Sequence, residues 1–321
     1  MVVVNTSGAP VDIAVLRELS AEQGAEVVRL ADAAAAADGV RPLNEQVMLQ
    51  LRYGGPGAVR HVVATEPGGA WVGYGHLDLT DRLQGASAEV VVHPDWRRQG
   101  VGAALVRRML DESGPTMSPS ESPSESPSTT LRLWAHGHHP AAARLADTLG
   151  FTRVRDLWQM RRSLHADLPP LEVPDGVRLR SFRPGADDEA WLRVNAHAFA
   201  DHPEQGSMTA ADLSLRMTES WFDPAGFILA ERGGELVGFH WTKVHEGGEH
   251  DPIGEVYVVG VDPSAQGLGL GRVLTLAGLW HLRERGLDQV MLYVEADNAA
   301  AIAVYERLGF QQWDLDVMYS A

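Results

Sequence analysis

The chain has 321 residues, 45% of them hydrophobic, which suits two domains and includes no apolar run near the ~20 residues a membrane helix needs. Its 43 acidic against 27 basic side chains give a formal charge of −16, which argues against nucleic acid as a partner because such binding rests on neutralised phosphates. There is no cysteine, so disulfides, thiolate catalysis and cysteine-ligated zinc are excluded; with no basic residue before Arg17 to mark a secretory leader, a soluble, cytoplasmic protein is expected.

In chain order, residues 11–37 read as one helix on Val11, Val15, Leu16, Leu19, Val27, Val28 and Leu30, ended by Gly39 and Pro42. A second helix over 42–53 carries Glu45. Residues 61–65 and 71–78 read as strands of a hairpin around a Pro-Gly-Gly turn. A further strand over 88–92 stops at His93-Pro94. Then Arg97-Arg98-Gln99-Gly100-Val101-Gly102 opens a helix with Val101, Leu105 and Met109 on one stripe. Residues 114–130 are Ser/Pro-rich and too polar to offset their ordering entropy, so a mobile surface loop is expected. A strand over 131–134, a helix over 140–149 and a closing strand over 151–160 follow.

Residues 163–176, with Pro169, Pro170 and Pro174, read as a linker between domains 1–162 and 177–321. The order of elements then returns. A strand near 177–182, helices over 186–199 and 209–220, and a hairpin over 227–244 lead to a β-branched strand from Gly254 to Val261. Asp262-Pro263 stops that strand. Gln266-Gly267-Leu268-Gly269-Leu270-Gly271 then opens an amphipathic helix. Strand, glycine loop and helix N-terminus together form an anion cradle, because free backbone N–H groups and the positive end of the helix dipole point one way. The loop lacks both the Lys-Ser/Thr of a Walker loop and the spacing of the dinucleotide fingerprint. A strand over 289–294, a helix over 299–308 and a last strand over 313–319 complete the chain.

The chain is a tandem repeat. Val72-Gly73-Tyr74 matches Val237-Gly238-Phe239, His93-Pro94 matches Asp262-Pro263, Gly100-Val101-Gly102 matches Gly269-Leu270-Gly271, and Leu149-Gly150-Phe151 matches Leu308-Gly309-Phe310, all in one order. In this alignment Glu255 corresponds to Ala86, Tyr305 to Ala146 and Asn298 to His139.

A hydrophobic strand, Asp/His-Pro, Gln/Arg-x-x-Gly-x-Gly, helix, strand, Asn-x-x-Ala, Tyr and Leu-Gly-Phe together resemble the GCN5-related N-acetyltransferases. Longer stretches are similar to tandem members that acetylate the cysteinyl amine of a cysteinyl-glucosaminyl-inositol. They are Ala198-Phe199-Ala200-Asp201-His202-Pro203-Glu204-Gln205-Gly206, Gly238-Phe239-His240-Trp241-Thr242-Lys243-Val244-His245 and Trp134-Ala135-His136-Gly137. The resemblance implies an α/β (α+β) fold of two tandem GNAT domains, each a mixed, mostly antiparallel sheet flanked by helices. It also implies acetyl-CoA as donor, a small-molecule acceptor and a monomer. No metal is expected, since the histidines show no H-E-x-x-H spacing.

On that resemblance Val259, Gly260 and Val261 pair with the pantetheine arm. Gln266, Gly267, Leu268, Gly269, Leu270, Gly271 and Arg272 cradle the pyrophosphate, and Asn298, Ala299, Ala300, Ala301, Ile302 and Ala303 complete the donor site. Acyl transfer to an amine needs a modest base, an oxyanion donor and an acid for the thiolate. Glu255 is the candidate base, on one face with Tyr257, Val259 and Val261 if the strand alternates strictly, with a bulge near Gly260 as the alternative. Tyr305 is the candidate acid. Glu45, Glu204, Lys243, Glu255 and Tyr293 match acceptor-binding positions, Glu45 implying an acceptor between the domains. The first copy keeps a cradle in Val90, Val91, Val92, Arg98, Gln99, Gly100, Val101, Gly102 and Ala103, with Arg97 and Arg98 for a pyrophosphate, but lacks base and acid. It is expected to bind acyl-CoA without turnover or to serve as support. The alternatives are acetyl transfer to another small amine or a protein N-terminus, and a non-catalytic acyl-CoA sensor.

Overall fold

The computed structural model describes residues 2–4, 10–55, 57–81, 85–114, 131–200, 202–246 and 251–321. The Ser/Pro-rich segment lies outside the described residues from 115 onward. The chain forms two compact units, Met1–Asp156 with Leu315–Ala321, and Leu157–Asp314.

The first unit runs β1 (Val2–Val4), β2 (Pro10–Leu16), α1 (Ala21–Asp38), α2 (Glu45–Tyr53), β3 (Val59–Thr65), β4 (Trp71–Asp78), β5 (Ala86–Val92), α3 (Val101–Glu112), β6 (Leu131–Ala135), α4 (Pro140–Thr148) and the start of β7 (Thr152–Ser163). The single helix expected over 11–37 is therefore a strand followed by a helix. Val11, Ile13 and Val15 alternate along β2, Val11 pairing with β1 and Ile13 and Val15 with β3, which suits β-branched side chains. The helix proper starts where Ser20 and Gln23 form a capping box, each side chain satisfying the other's backbone N–H. Neighbouring strands from β1 to β5 pair antiparallel, and β5 pairs parallel with β6. Helix α3 buries Val101, Leu105 and Met109 against the sheet, in a core with Val62, Val72 and Leu77.

The second unit takes the rest of β7, then β8 (Val177–Ser181), α5 (Asp188–Ala198), α6 (Pro203–Gly206), α7 (Ala210–Met217), β9 (Phe227–Arg232), β10 (Glu235–His245), β11 (Ile253–Val261), α8 (Leu270–Glu284), β12 (Gln289–Glu295), α9 (Ala299–Arg307) and the start of β13 (Gln311–Ser320). Its sheet order is β8-β9-β10-β11-β12-β7, antiparallel except for β11 with β12. Apolar α8 packs on one face, and on the other α5 and α7 bury Trp191, Val194 and Leu213 with Phe227, Phe239 and Trp241.

Sheet pairing divides the chain differently from the boundaries at 162 and 177. Strand β12 pairs with the later part of β7, whereas β6 pairs with the end of β13. The closing strand of each copy thus completes a sheet built from the other copy's strands. Residues 163–176 are anchored rather than free. Leu164 and Leu168 are buried in the second unit's core, and the Pro169 carbonyl accepts a 3.1 Å hydrogen bond from Trp280 Nε1.

Candidate active site

Both units open the same kind of cleft. Parallel pairing of β11 with β12 runs only from Gly254 to Val256, and pairing of β5 with β6 only from Ala86 to Glu89. Beyond those points Val258–Val261 and Val90–Val92 have no partner in the parallel neighbour. In the first unit the gap belongs to a cavity of about 460 Å³ lined by Val90, Val91, Val92, Gly100, Val101, Gly102, Ala103 and Ala146.

The loops that follow superpose residue for residue in conformation. Asp262 caps its turn by accepting from the Ser264 N–H, as His93 Nδ1 does from Asp95. Helix α8 starts from left-handed Gly269 (φ +72°) and α3 from left-handed Gly100 (φ +85°), neither with a side-chain cap. Their first-turn N–H groups therefore have no intrahelical partner, the arrangement that suits an anion. Gly267 is also left-handed (φ +81°), and at the matching position Arg98 holds φ +62°, a conformation that is costly for a side-chain-bearing residue. A Cβ on Gly271 would meet nothing within 4 Å, so the second cradle has open space above it. Arg98 lines the first cavity. Arg97 is already engaged: its guanidinium forks onto Asp38 at 2.6 and 2.8 Å and donates to the Val92 carbonyl. Gln99 reaches back to the Asp95 carbonyl.

The heads of the two strands differ. Glu255 is 7% exposed, at the start of β11, where Ala86 stands in the first copy. Its Oε2 lies 2.6 Å from His245 Nε2. Lys243, directly opposite Glu255 in the antiparallel ladder, is also buried, with Nζ 4.7 Å from the Trp221 ring centre and 5.2 Å from that of Tyr257. Arg216 Nε donates to the Tyr257 hydroxyl at 2.8 Å. Burial alone would raise the Glu255 carboxyl, but the hydrogen bond and charge of His245, with the charge of Lys243, outweigh it and hold the group below the ordinary carboxylate range. Glu255 is thus an ionised, buried carboxylate.

The register corrects the strict alternation expected along this strand. Trp241 pairs with Val258 and Thr242 with Val256, so Tyr257 is a bulged residue. The bulge lies at Tyr257 rather than near Gly260. Tyr257 and Val258 both pack with the α5–α7 face, whereas Val259 and Val261 pack with α8 residues Leu270 and Leu274. Glu255 therefore does not share a face with Val259 and Val261.

Tyr305 is buried on α9, edge-on to Phe310 at 5.8 Å, and burial pushes its hydroxyl up to about 12, so it stays protonated near neutrality. Asn298 caps α9, accepting from the Ala301 N–H, as His139 caps α4. Tyr293 on β12 is 39% exposed and accepts from Gln159 Nε2 at 2.8 Å. Glu204 lies on α6, with its side chain outside the described residues. Glu45 opens α2 of the first unit, after Asn44 caps it. Sequence reasoning missed His245, Arg216 and Trp221. The signal for His245 was its i+2 spacing from Lys243, which puts both on one face of a strand. Among the described residues no group of three or more His, Asp or Glu could hold a metal ion, and no helix is long and apolar enough to cross a membrane.

Residues 191–310 match the acetyltransferase (GNAT) family and residues 58–153 an acetyltransferase (GNAT) domain. Over 306 residues the chain is 57% identical to the mycothiol acetyltransferase of Thermobispora bispora, covering 95% of this chain and 97% of that protein. The chain belongs to the mycothiol acetyltransferase family of GNAT proteins. The corresponding protein of Streptosporangium roseum is 52% identical, with 94% of this chain and 96% of that one covered. A tandem GNAT protein of the clavulanic acid biosynthesis pathway shares the fold, with a TM-score of 0.71 at 23% identity over 97% of this chain and 98% of that one. As a member of this family the chain is an N-acetyltransferase with two GNAT domains, and GNAT enzymes use acetyl-CoA.

Proposed function

We propose that this chain transfers the acetyl group of acetyl-CoA to the cysteinyl amine of a cysteinyl-glucosaminyl-inositol, forming mycothiol, and that the second unit performs the transfer. The full-length likeness to mycothiol acetyltransferases supports the acceptor. The observation that carries the catalytic assignment is the buried Glu255, with His245 and Lys243, at the head of a strand that splays from its neighbour.

An α-amino group titrates at about 7.7–8.0, so a carboxylate of modest basicity suffices to take its proton. Glu255 accepts that proton, and the freed nitrogen pair attacks the thioester carbonyl. The unpaired edge of Val259–Val261 offers backbone N–H donors for the pantetheine arm and the developing oxyanion. As the C–S bond breaks, Tyr305 gives its proton to the leaving thiolate and regains one from the amide nitrogen as it forms. The glycine cradle from Gln266 to Arg272 takes the pyrophosphate on its free N–H groups, and Asn298–Ala303 borders the same cleft. Glu204, Lys243 and Tyr293 are assigned to the acceptor, whose sugar and inositol hydroxyls suit carboxylate and phenol partners.

The first unit has the cavity without the chemistry. Ala86 and Ala146 stand where base and acid would be, and Ala146 lines the cavity. It holds acyl-CoA without turning it over. A soluble, cytoplasmic monomer fits a small-molecule enzyme of this kind. The test is release of free CoA from acetyl-CoA with the cysteinyl-glucosaminyl-inositol, glucosamine and a peptide N-terminus as competing acceptors. Release with the first alone supports the reading, and release only with another amine replaces it.

A further inference from the structure

His245 takes no proton in the mechanism as derived so far, yet its ring is hydrogen-bonded to the candidate base. It occupies the end of β10, where the ladder pairs Lys243 with Glu255, Val244 with Gly254 and His245 with Ile253. His245 is thus diagonal to Glu255 on the same face, within reach of a long side chain. The contact is short, 2.6 Å between Nε2 and Oε2, and asymmetric in burial: the Glu255 side chain is 10% exposed and that of His245 36%. Because Glu255 is ionised, the proton in this hydrogen bond belongs to the ring, and Nε2–H donates to the carboxylate.

We propose that His245 is the positioning residue of this active site: its Nε2–H fixes the Glu255 carboxylate through Oε2, and its ring charge sets the pH at which that carboxylate works as base. The inference rests on Glu255 being the base. The groups that bear on the carboxylate come from several elements. Strand β10 supplies His245 and Lys243, β11 supplies Tyr257, whose hydroxyl is held by Arg216 of α7, and β12 places apolar Met291 opposite Glu255. Both neighbours on β10 favour the ionised form of the carboxylate, and of the two His245 makes the hydrogen bond to it.

During the reaction the acceptor ammonium loses one proton to Glu255, the carboxylate becomes the neutral acid, and the nitrogen pair forms the new C–N bond as the C–S bond breaks; the thiolate takes the Tyr305 proton, and the second proton leaving the nitrogen as the amide forms restores the Tyr305 hydroxyl. Throughout, the ring keeps its Nε2–H toward Oε2. After product leaves, the carboxyl returns its proton to solvent. A charged ring makes that return easy and the capture hard, whereas a neutral ring does the opposite. The working pH is therefore a property of the pair rather than of Glu255 alone.

The test is the pH profile of kcat/KM for the wild type, His245→Ala, His245→Gln and Glu255→Gln, with acetyl-CoA affinity measured for each to establish a folded site. His245→Ala should lower kcat roughly 10- to 100-fold, as loss of an orienting partner does, with acetyl-CoA affinity kept. Its acid limb should move up by about one pH unit or more, since an opposite charge beside the carboxylate has gone. His245→Gln keeps an N–H donor without the charge, so it should recover most of the rate while its acid limb stays displaced. A purely structural role would lower the rate at every pH and leave the limb in place. Limbs at the wild-type pH in both histidine variants would overturn the proposal. Wild-type turnover in Glu255→Gln would instead remove the base assignment on which it rests.

Discussion

At the scale of single residues, the two copies form a natural comparison, because the same backbone carries different side chains at two positions that matter. Glu255 and Tyr305 are buried in the second unit, and Ala86 and Ala146 take their places in the first. Burial acts on the two groups in opposite senses. For Tyr305 it raises the hydroxyl to about 12 and keeps it protonated at neutral pH. For Glu255 it is overridden by His245 and Lys243, which keep the carboxylate charged. Tyr305→Phe should lower kcat about 10- to 100-fold, a smaller loss than removing the base, because a CoA thiolate can also be protonated by water. Steady-state rates at saturating acetyl-CoA check this, and a wild-type rate would mean that the thiolate leaves unprotonated. Lys243, which a sequence pattern reads equally well as a solvated charge, is a buried cation held over two aromatic rings. Nothing in its own sequence neighbourhood signals this, because Trp221 reaches it from a distant loop.

Between elements, the repeat has drifted by exchange of volumes. In the first unit Gly75 on β4 leaves room for Met109 on α3, whose Cε stands 1.7 Å from where a Cβ would go. In the second the large and small partners are swapped. His240 on β10 fills the space beside Gly278 on α8, its Cε1 2.0 Å from the ideal Cβ position. Gly278→Met should therefore destabilise the protein by about 1–3 kcal/mol, the usual cost of overpacking a dense core. Adding His240→Gly recreates the first unit's pairing and should recover part of that loss. Denaturant unfolding of both singles and the double forms the cycle, and strictly additive effects would contradict direct packing of the pair. The same scale shows what the sequence made legible. The glycine loops, their caps, and the positions of Glu255 and Tyr305 follow from local pattern and from alignment of the copies. The strand over Pro10–Leu16 was hidden because Val11, Val15 and Leu16 also fit a helical stripe, and only the Ser20–Gln23 box separates strand from helix. The bulge at Tyr257 was hidden because an extra residue in one strand shows only in the register of its partner. His245 was hidden for the same reason: its diagonal relation to Glu255 exists only once β10 and β11 are paired.

For the whole molecule, alternation predicts that β7 and β13 are paired strands without specifying their neighbours, so the division into Met1–Asp156 with Leu315–Ala321 and Leu157–Asp314 was not legible. One consequence is chemical. Asp316, on the last strand, accepts from His136 Nδ1 at 2.8 Å and from the Gly137 N–H at 2.9 Å, and Glu89 stands 3.6 Å from His136 Nε2. Burial opposes charge on this ring, but the two carboxylates prevail and raise His136 to about 10. Burial, with the charge of His76 beside His61 and of His281 beside His240, lowers each of these two histidines to about 4. The signs follow from proton uptake. A histidine lowered in the folded state takes up protons more readily when unfolded, so the stability tied to His61 and His240 is lost as pH falls from about 6.5 to about 4. A raised histidine contributes fully below about 6.5, and that contribution is lost as pH climbs through about 10. Thermal midpoints should therefore peak near neutral pH and decline on both sides, the alkaline decline flattening in His136→Gln. An alkaline limb identical in that variant would assign the decline to other groups.

The role of Glu255 as base is decided by a single-turnover measurement with both substrates present: the rate of free CoA formation by the wild type and by Glu255→Gln, alongside acetyl-CoA affinity. A loss of about 10²- to 10⁴-fold in rate at unchanged affinity is the predicted result, the usual worth of a positioned base. CoA formation at the wild-type rate in Glu255→Gln would contradict it, and with it the assignment of chemistry to the head of β11.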